Sequence, residues 1–286
     1  MTKSKSGKGP GKSRPQKAPG GGQGRRSTPH RRAAAPSPTT ARGGGLWLYG
    51  THAVRAALAN PRRQLHRLLA TADAAADLED IALPKDLSLE RLPREELSRQ
   101  LPEGAVHQGL AALVAPLPTL RLEKVLAEAP QAAGERQVLL VLDQITDPQN
   151  CGAVLRSAAA FGALAVVAHA HHAAPESGAL AKAASGALEL MPRVEVGNLS
   201  QALRQMQAAG YWVLGLAEEG PATLTAGGSD DHGPRVALVL GAEGRGLRRL
   251  TRETCDLLVR LPTRPALPSL NVSNAAAVAL FALLAR

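Results

Sequence analysis

Three short segments in the second half of this chain hold the polar residues best suited to chemistry. In the first, Asn150 and Arg156 lie six residues apart, shortly after Asp147-Pro148. An amide side chain offers two donors and one acceptor, and a guanidinium offers a planar fork of donors that matches phosphate. The pair therefore suits a ligand that carries hydroxyl and phosphate groups. The alternative is structural, with Asn150 capping a helix and Arg156 standing as a solvated charge.

The second segment is a glycine-rich loop with a single acid. It follows an apolar run and reads Leu240-Gly241-Ala242-Glu243-Gly244-Arg245-Gly246-Leu247. Gly241 and Gly244 allow the backbone to approach a ligand closely, and Glu243 can orient a donor. The spacing differs from GxGxxG, and no acid follows about twenty residues later, so the loop does not predict a dinucleotide site. A tight turn with a surface glutamate is the alternative.

The third segment precedes the last apolar stretch of the chain and reads Ser269-Leu270-Asn271-Val272-Ser273. Ser269 and Asn271 then lie around the start of the final helix, where backbone N–H groups have no intrahelical partner. A helix start of this kind can bind a polar group of a ligand. Ordinary capping of the helix by Ser269 is the alternative.

The surrounding pattern predicts how these segments are positioned. Val138–Leu142 is an unbroken apolar run, typical of a strand buried on both faces of a parallel sheet. Strands and helices then alternate, which predicts a doubly wound α/β sheet with helices on both faces. The carboxyl ends of its strands share one edge, where polar segments build a site. The predicted strands cover 138–142, 165–168, 193–196, 212–216, 236–240 and 257–261, and the predicted helices cover 151–161, 179–188, 199–209, 250–255 and 271–284.

Composition divides the chain into four parts. Residues 1–45 are a Gly-, Pro- and Ser-rich segment that predicts a disordered arm. Residues 46–115 predict a small α/β module, 116–137 a linker with one short helix, and 138–286 the second domain. Within the module we expect helices at 53–58 and 74–81 and strands at 65–70, 87–92 and 110–114.

Positive charge is concentrated in the arm. The whole chain has a net charge of +10, and residues 1–45 contain five Lys, six Arg and no acid. The remaining residues hold 23 basic and 24 acidic groups, so the body is close to neutral. An arm of this kind suits a polyanion, and a solubilising leader is the alternative. Aromatic residues make up only 2% of the chain, so recognition must rest on phosphate contacts, shape and hydrogen bonds rather than on stacked bases.

The two cysteines and the histidine cluster predict no disulfide framework and no metal site. Cys151 and Cys255 lie more than a hundred residues apart, which suits a reducing compartment such as the cytoplasm. Cys151 reads as a small packing residue rather than a nucleophile. His169, His171 and His172 have no Cys or carboxylate at ligand spacing. No secretory signal is predicted, and the longest apolar run, 275–285, is too short to span a bilayer.

Taken in this order, the three segments resemble the SpoU/TrmH branch of the SPOUT RNA methyltransferases over residues 138–286. Gly50-Thr51-His52-Ala53-Val54 and Gly104-Ala105-Val106-His107-Gln108-Gly109 resemble the RNA-binding module of the RlmB-like ribosomal RNA 2′-O-methyltransferases. The resemblance implies a trefoil-knotted C-terminal domain and a homodimer. It implies S-adenosylmethionine as cofactor, held near Leu216, Gly241, Leu261 and Leu270. The catalytic and orienting set that it implies is Asn150, Arg156, Glu243, Ser269 and Asn271.

The implied activity is methylation of a ribose 2′-hydroxyl, of a guanosine, in large-subunit 23S ribosomal RNA. Arg156 would orient the ribose and its phosphate, since a guanidinium is a poor base. The chain departs from the family at residues 263–268, where Thr-Arg-Pro-Ala-Leu-Pro replaces the usual Met and Gly. Two alternatives stay open: a transfer-RNA 2′-O-methyltransferase, and a non-catalytic RNA-binding factor for ribosome assembly.

Overall fold

The structure is a computed structural model that describes residues 45–130, 136–225, 233–264, 266 and 269–284. All of these residues belong to one compact unit. The predicted arm, apart from Gly45, lies outside the described residues, as do Pro265, Leu267 and Pro268 of the segment that departs from the family.

The first part of the unit is a mixed four-stranded sheet with three helices. In the order β1-β4-β2-β3, strand β4 runs antiparallel to β1 and β2, and β2 runs parallel to β3. The strands are β1 (Leu46–Tyr49), β2 (Leu65–Ala70), β3 (Leu89–Arg91) and β4 (Leu110–Val114), and the helices are α1 (Thr51–Ala59), α2 (Ala72–Ala76) and α3 (Arg94–Gln100).

This part confirms the predicted strands 65–70 and 110–114, shortens one predicted helix and contains two elements that were not predicted. Helix α2 is shorter than the predicted 74–81, because the chain passes into turns after Ala76. Strand β1 was not predicted, although its four consecutive apolar residues are all buried and form the same kind of run as Val138–Leu142. Helix α3 was not predicted because Leu97 is its single buried residue, which leaves no apolar periodicity.

The second part is a seven-stranded sheet in which every strand pair is parallel, in the order β7-β6-β5-β10-β8-β11-β9. The predicted parallel α/β class is therefore confirmed. The trefoil knot stays a prediction. The strands are β5 (Gln137–Asp143), β6 (Ala165–His169), β7 (Arg193–Val196), β8 (Trp212–Leu216), β9 (Ala222–Thr223), β10 (Arg235–Gly241) and β11 (Leu257–Arg260).

The helices that the structure describes in the second part are α4 (Leu122–Glu128), α5 (Pro148–Phe161), α6 (Gly178–Ala184), α7 (Ala187–Leu190), α8 (Leu199–Ala208), α9 (Arg249–Thr254) and α10 (Val272–Leu284). The single helix predicted at 179–188 is wrong. It is two helices, because Ser185 and Gly186 both adopt positive φ angles of 49° and 94° and end the first helix.

Strand β5 lies at the centre of the core and is buried along its whole length. Its alternate side chains enter different clusters: Leu140 packs on the side of α5 and α10, whereas Leu139 packs on the side of α8. Helices therefore cover both faces of the sheet, as predicted. Because β5, β10, β8 and β11 are consecutive neighbours, their carboxyl ends share one edge, and the candidate site lies there.

Candidate active site

A cavity of about 580 Å³ opens at the carboxyl ends of β8, β10 and β11. This volume lies within the range of small-molecule pockets. The four residues predicted to hold a cofactor, Leu216, Gly241, Leu261 and Leu270, all line it. Polar side chains face the same space, among them Glu218, Glu243, Thr263, Ser269 and Asn271. An apolar wall with a few polar groups suits a ligand that has both a flat ring and a charged end.

The glycine loop closes on itself beside this cavity. The Gly246 N–H donates to the Ala242 carbonyl at 2.8 Å, and the two residues form an antiparallel bridge. A Cβ on Gly241 would overlap the backbone of Gly246 and Leu247, so this position requires glycine. The loop is thus a tight turn, as one sequence interpretation proposed, but its acid is not merely a surface charge.

Asn271 connects that acid to the first segment. Its Nδ2 donates to Glu243 Oε1 at 2.5 Å and to Asn150 Oδ1 at 3.0 Å. Its Oδ1 accepts from the Ser273 N–H at 2.9 Å, so Asn271 also caps helix α10. The alternative of capping by Ser269 is therefore wrong, because Ser269 lies on the cavity wall instead.

Asn150 is free to take part because another residue caps its helix. Helix α5 begins at Pro148, and Asp147 Oδ1 accepts from the Asn150 backbone N–H at 2.8 Å. The interpretation of Asn150 as a cap is therefore wrong. Its side chain instead reaches Asn271, so three of the predicted site residues meet through hydrogen bonds although they come from distant parts of the chain.

Arg156 is not brought to this cluster within one chain. Its side chain is exposed, does not line the cavity, and donates from Nη1 to Ser185 Oγ at 3.4 Å. The reason is helical geometry: six residues correspond to about 1.7 turns, which points Arg156 about 120° away from Asn150. The catalytic role of Arg156 therefore remains a prediction.

Sequence reasoning missed Asp143, a fully buried acid at the end of β5. Its Oδ1 accepts from Arg248 Nε at 2.6 Å, and its Oδ2 accepts from the Arg248 backbone N–H at 2.9 Å. These bonds tie the glycine loop, which ends just before Arg248, to the central strand. A buried charge that ends an apolar strand was the signal that could have identified it.

Cys151 packs in the interior, as the sequence indicates. Burial raises the pKa of its thiol to about 11. The thiol donates to the Ile145 carbonyl at 3.2 Å. At neutral pH it is therefore protonated and a weak nucleophile.

The three clustered histidines lie at the end of β6, with the ring centroid of His169 at 4.7 Å from that of His172. In the described ranges, no group of three or more His, Cys, Asp or Glu side chains is placed to hold a metal ion. No helix within those ranges is long and apolar enough to cross a membrane.

Fold and site together define a parallel α/β protein with a small-molecule cavity at the carboxyl ends of its strands, and comparison with known proteins specifies its kind. The chain belongs to the SpoU rRNA Methylase family, whose model matches residues 137–281. A second model, RNA 2′-O ribose methyltransferase substrate binding, matches residues 47–120.

Curated relatives extend this similarity over most of the chain. It is 40% identical over 241 residues to the 23S rRNA (guanosine-2′-O-)-methyltransferase RlmB of Photobacterium profundum, covering 82% of this chain and 95% of that relative. It is 42% identical over 238 residues to the RlmB of Pseudomonas syringae pv. tomato, covering 82% and 93%.

Solved structures share the fold. A putative RNA methyltransferase of the TrmH family from Porphyromonas gingivalis is 25% identical with a TM-score of 0.63, over 84% of this chain and 89% of that one. An AdoMet-bound rRNA methyltransferase from Sinorhizobium meliloti is 20% identical with a TM-score of 0.67, over 84% and 87%.

Proposed function

We propose that this protein transfers a methyl group from S-adenosylmethionine to the 2′-hydroxyl of a guanosine ribose in 23S ribosomal RNA. Membership of the SpoU family and the two RlmB relatives support the reaction and the substrate. The observation that carries the proposal is the hydrogen-bonded set Asn150–Asn271–Glu243 beside the cavity at the sheet edge. These relatives act on ribosomal RNA, which favours that substrate over transfer RNA.

The cavity fits the proposed cofactor. Leu216, Leu240 and Leu261 supply apolar surface for a purine, and Glu243 and Asn271 face the same space with charged and amide groups. When bound, S-adenosylmethionine supplies a sulfonium methyl group and its own leaving group, so no metal is needed. The protein must then hold the ribose hydroxyl in line with that methyl, and orientation of this kind lowers a barrier by about 7–11 kcal/mol at most.

Within this scheme the polar residues position the reacting groups, and the proton that the 2′-hydroxyl releases leaves to the adjacent RNA phosphate as the oxygen–methyl bond forms and the sulfur–methyl bond breaks. Asn271 fixes the Glu243 carboxylate, which lines the cavity, and the Asn150 amide beside it. Ser269 lines the cavity and offers a hydroxyl. Arg156 orients the acceptor ribose and its phosphate with its planar fork.

The exposed location of Arg156 supports the predicted homodimer. Helix α10 packs on α5 and carries two exposed apolar side chains, Val278 at 44% and Phe281 at 53%. Phe281 stacks edge-on against Phe161 of α5, with ring centroids 6.1 Å apart. A second copy that covers this surface would bring Arg156 of one protomer towards the site of the other. The free cysteines and the ribosomal substrate support the expected cytoplasmic location.

Calorimetry with S-adenosylmethionine tests the cofactor assignment directly. We expect saturable binding by the full-length chain and its loss in Gly241→Ala, whose added Cβ has no room. Gly197→Ala is the matched control, because a Cβ there meets nothing within 4 Å. No binding at millimolar cofactor would instead favour the non-catalytic RNA-binding factor. Mapping of 2′-O-methyl groups in 23S ribosomal RNA from cells that lack the protein identifies the nucleotide.

A further inference from the structure

Arg63 is a buried cation that joins the first and second parts of the molecule. It lies between α1 and β2, in the region matched by the substrate-binding family model, and its side chain has 0% exposure. Its guanidinium donates to Glu189 Oε1 at 2.5 Å and to Glu176 Oε1 at 2.6 Å. Both acids belong to the region matched by the methylase model. The ion pairs therefore connect the RNA-binding part to the methyltransferase part.

Glu176 and Glu189 each accept further hydrogen bonds besides those from Arg63. Glu189, which is part of α7, also accepts from Asn60 Nδ2 at 2.7 Å. Glu176 also accepts from Arg193 Nη1 at 3.1 Å and from the Leu117 backbone N–H at 3.2 Å. Two arginines balance two glutamates, and the side chains of Arg63, Glu176 and Glu189 are at most 5% exposed. Because unpaired buried charges are costly, this arrangement favours a single docked geometry.

A second junction lies along α6, between the two glutamates of the Arg63 network. Lys182 Nζ of α6 donates to Gln108 Oε1 at 2.6 Å. Gly50 lies against the same lysine, since a Cβ there would come within 2.9 Å of Lys182 Nζ. A Cβ on Gly178, the first residue of α6, would overlap the Tyr49 ring of β1. The two N-terminal motifs that include Gly50 and Gln108 therefore face the methyltransferase part at this junction.

The α6–α7 segment also contacts the helix that carries the predicted catalytic arginine. Ser185, between α6 and α7, accepts from Arg156 Nη1. Gly152 of α5 packs so closely on α6 that a Cβ there would lie 2.5 Å from the Leu180 carbonyl oxygen. One short segment thus holds the RNA-binding part on one side and helix α5 on the other.

We propose that Arg63, with Glu176 and Glu189, is a positioning residue for the RNA substrate. The buried network fixes the RNA-binding part against α6–α7, so that RNA bound there presents its acceptor ribose beside Arg156. Two contact regions of one chain that are held in fixed relation bind one RNA more tightly than two that move independently, because less conformational freedom is lost on binding. This inference rests on the proposed function for the identity of the RNA.

Glu189→Gln tests the inference, since the amide keeps the size of the side chain and Arg63 keeps Glu176. Because the change removes one buried charge, a cooperative thermal unfolding transition verifies first that the variant is folded. We expect the KM for a 23S ribosomal RNA fragment and the Kd for that RNA to rise about tenfold. The kcat at saturating RNA should stay within about threefold, and the Kd for S-adenosylmethionine within about twofold, because the cavity is untouched. Methylation should also spread to neighbouring nucleotides.

The matched control is Glu90→Gln, which removes a carboxylate paired with Arg67 at 2.7 Å inside the first sheet, away from both junctions. It should leave the RNA Kd and the methylation site unchanged. An RNA Kd and a site specificity that are equal in Glu189→Gln and wild type would overturn the inference. Arg63→Lys should restore part of the RNA affinity lost in Arg63→Met, since it keeps the charge. Failure of the proposed function has a different signature: wild-type protein that binds no S-adenosylmethionine.

Discussion

Asn271 forms hydrogen bonds in two directions with different atoms of its side chain. Its oxygen caps helix α10 through the Ser273 N–H, while its nitrogen donates to Glu243 and Asn150. The two roles can be separated because serine is also a good helix cap but is too short and has too few donors to replace the amide.

Asn271→Ser should therefore retain the fold and lose activity. We expect a melting temperature close to that of wild type and a turnover at least about tenfold lower, equivalent to about 1.4 kcal/mol in the barrier. Asn271→Ala should lose the cap as well and lower the free energy of unfolding by about 0.5–2 kcal/mol. Thermal unfolding and methyl-transfer rates measure the two effects. Equal turnover in Asn271→Ser and wild type would exclude a role for the amide.

Arg156→Lys tests whether the planar guanidinium of Arg156 contacts the RNA that carries the acceptor ribose. Lysine keeps the charge but loses the planar pair of donors, so the change is not conservative at a phosphate site. Turnover should fall at least about tenfold, with little change in cofactor affinity, because Arg156 does not line the cavity. Single-turnover methyl transfer and calorimetry measure these quantities. Turnover near wild type would show that Arg156 is a solvated charge.

At the scale of elements, the candidate site depends on the glycine loop, which is anchored to β5 by hydrogen bonds between Arg248 and Asp143. The glycine loop follows β10 and ends just before Arg248. The buried Asp143, at the end of β5, accepts hydrogen bonds from both the backbone N–H and the side chain of Arg248. The neighbouring Arg249 makes only an exposed pair with Glu253, one helical turn away at 2.6 Å. Arg248 therefore anchors the glycine loop to β5, whereas Arg249 forms an ion pair at the surface.

Arg248→Ala should be far more damaging than Arg249→Ala. The first leaves a buried carboxylate with one partner fewer and should lower the free energy of unfolding by about 1.5–3 kcal/mol. The second removes an exposed pair worth about 0.3–0.5 kcal/mol. Urea unfolding of both variants provides the comparison. Similar losses in the two would show that Asp143 does not anchor the loop.

At the scale of the whole molecule, charge and chemistry occupy different parts of the chain. Residues 1–45 contain eleven basic groups and no acid, while every proposed site residue lies at Asn150 or beyond. RNA affinity and catalysis should therefore respond differently to removal of the arm.

A chain that begins at residue 46 should bind RNA more weakly and with a flatter salt dependence. Each lost phosphate contact lowers the log–log slope by about 0.7–0.9. Turnover at saturating RNA and low salt should be retained. Filter binding across salt concentrations and saturating kinetics check both points. An unchanged slope would mean that the arm does not touch RNA, and lost turnover would mean that it helps to form the site.

The sequence alone determined the parallel α/β class and the edge of the sheet at which the candidate site lies. The unbroken apolar run at β5 and the polar segments that follow the strands are local signals. The sequence also identified Asn150, Glu243 and Asn271 individually. Only the tertiary structure decided that these three residues bond to one another and that Arg156 points elsewhere. It also decided that Asp143 anchors the glycine loop and that Arg63 anchors the RNA-binding part. These are contacts between residues far apart in the chain, and a long-range contact leaves no periodicity or spacing for a single sequence to display.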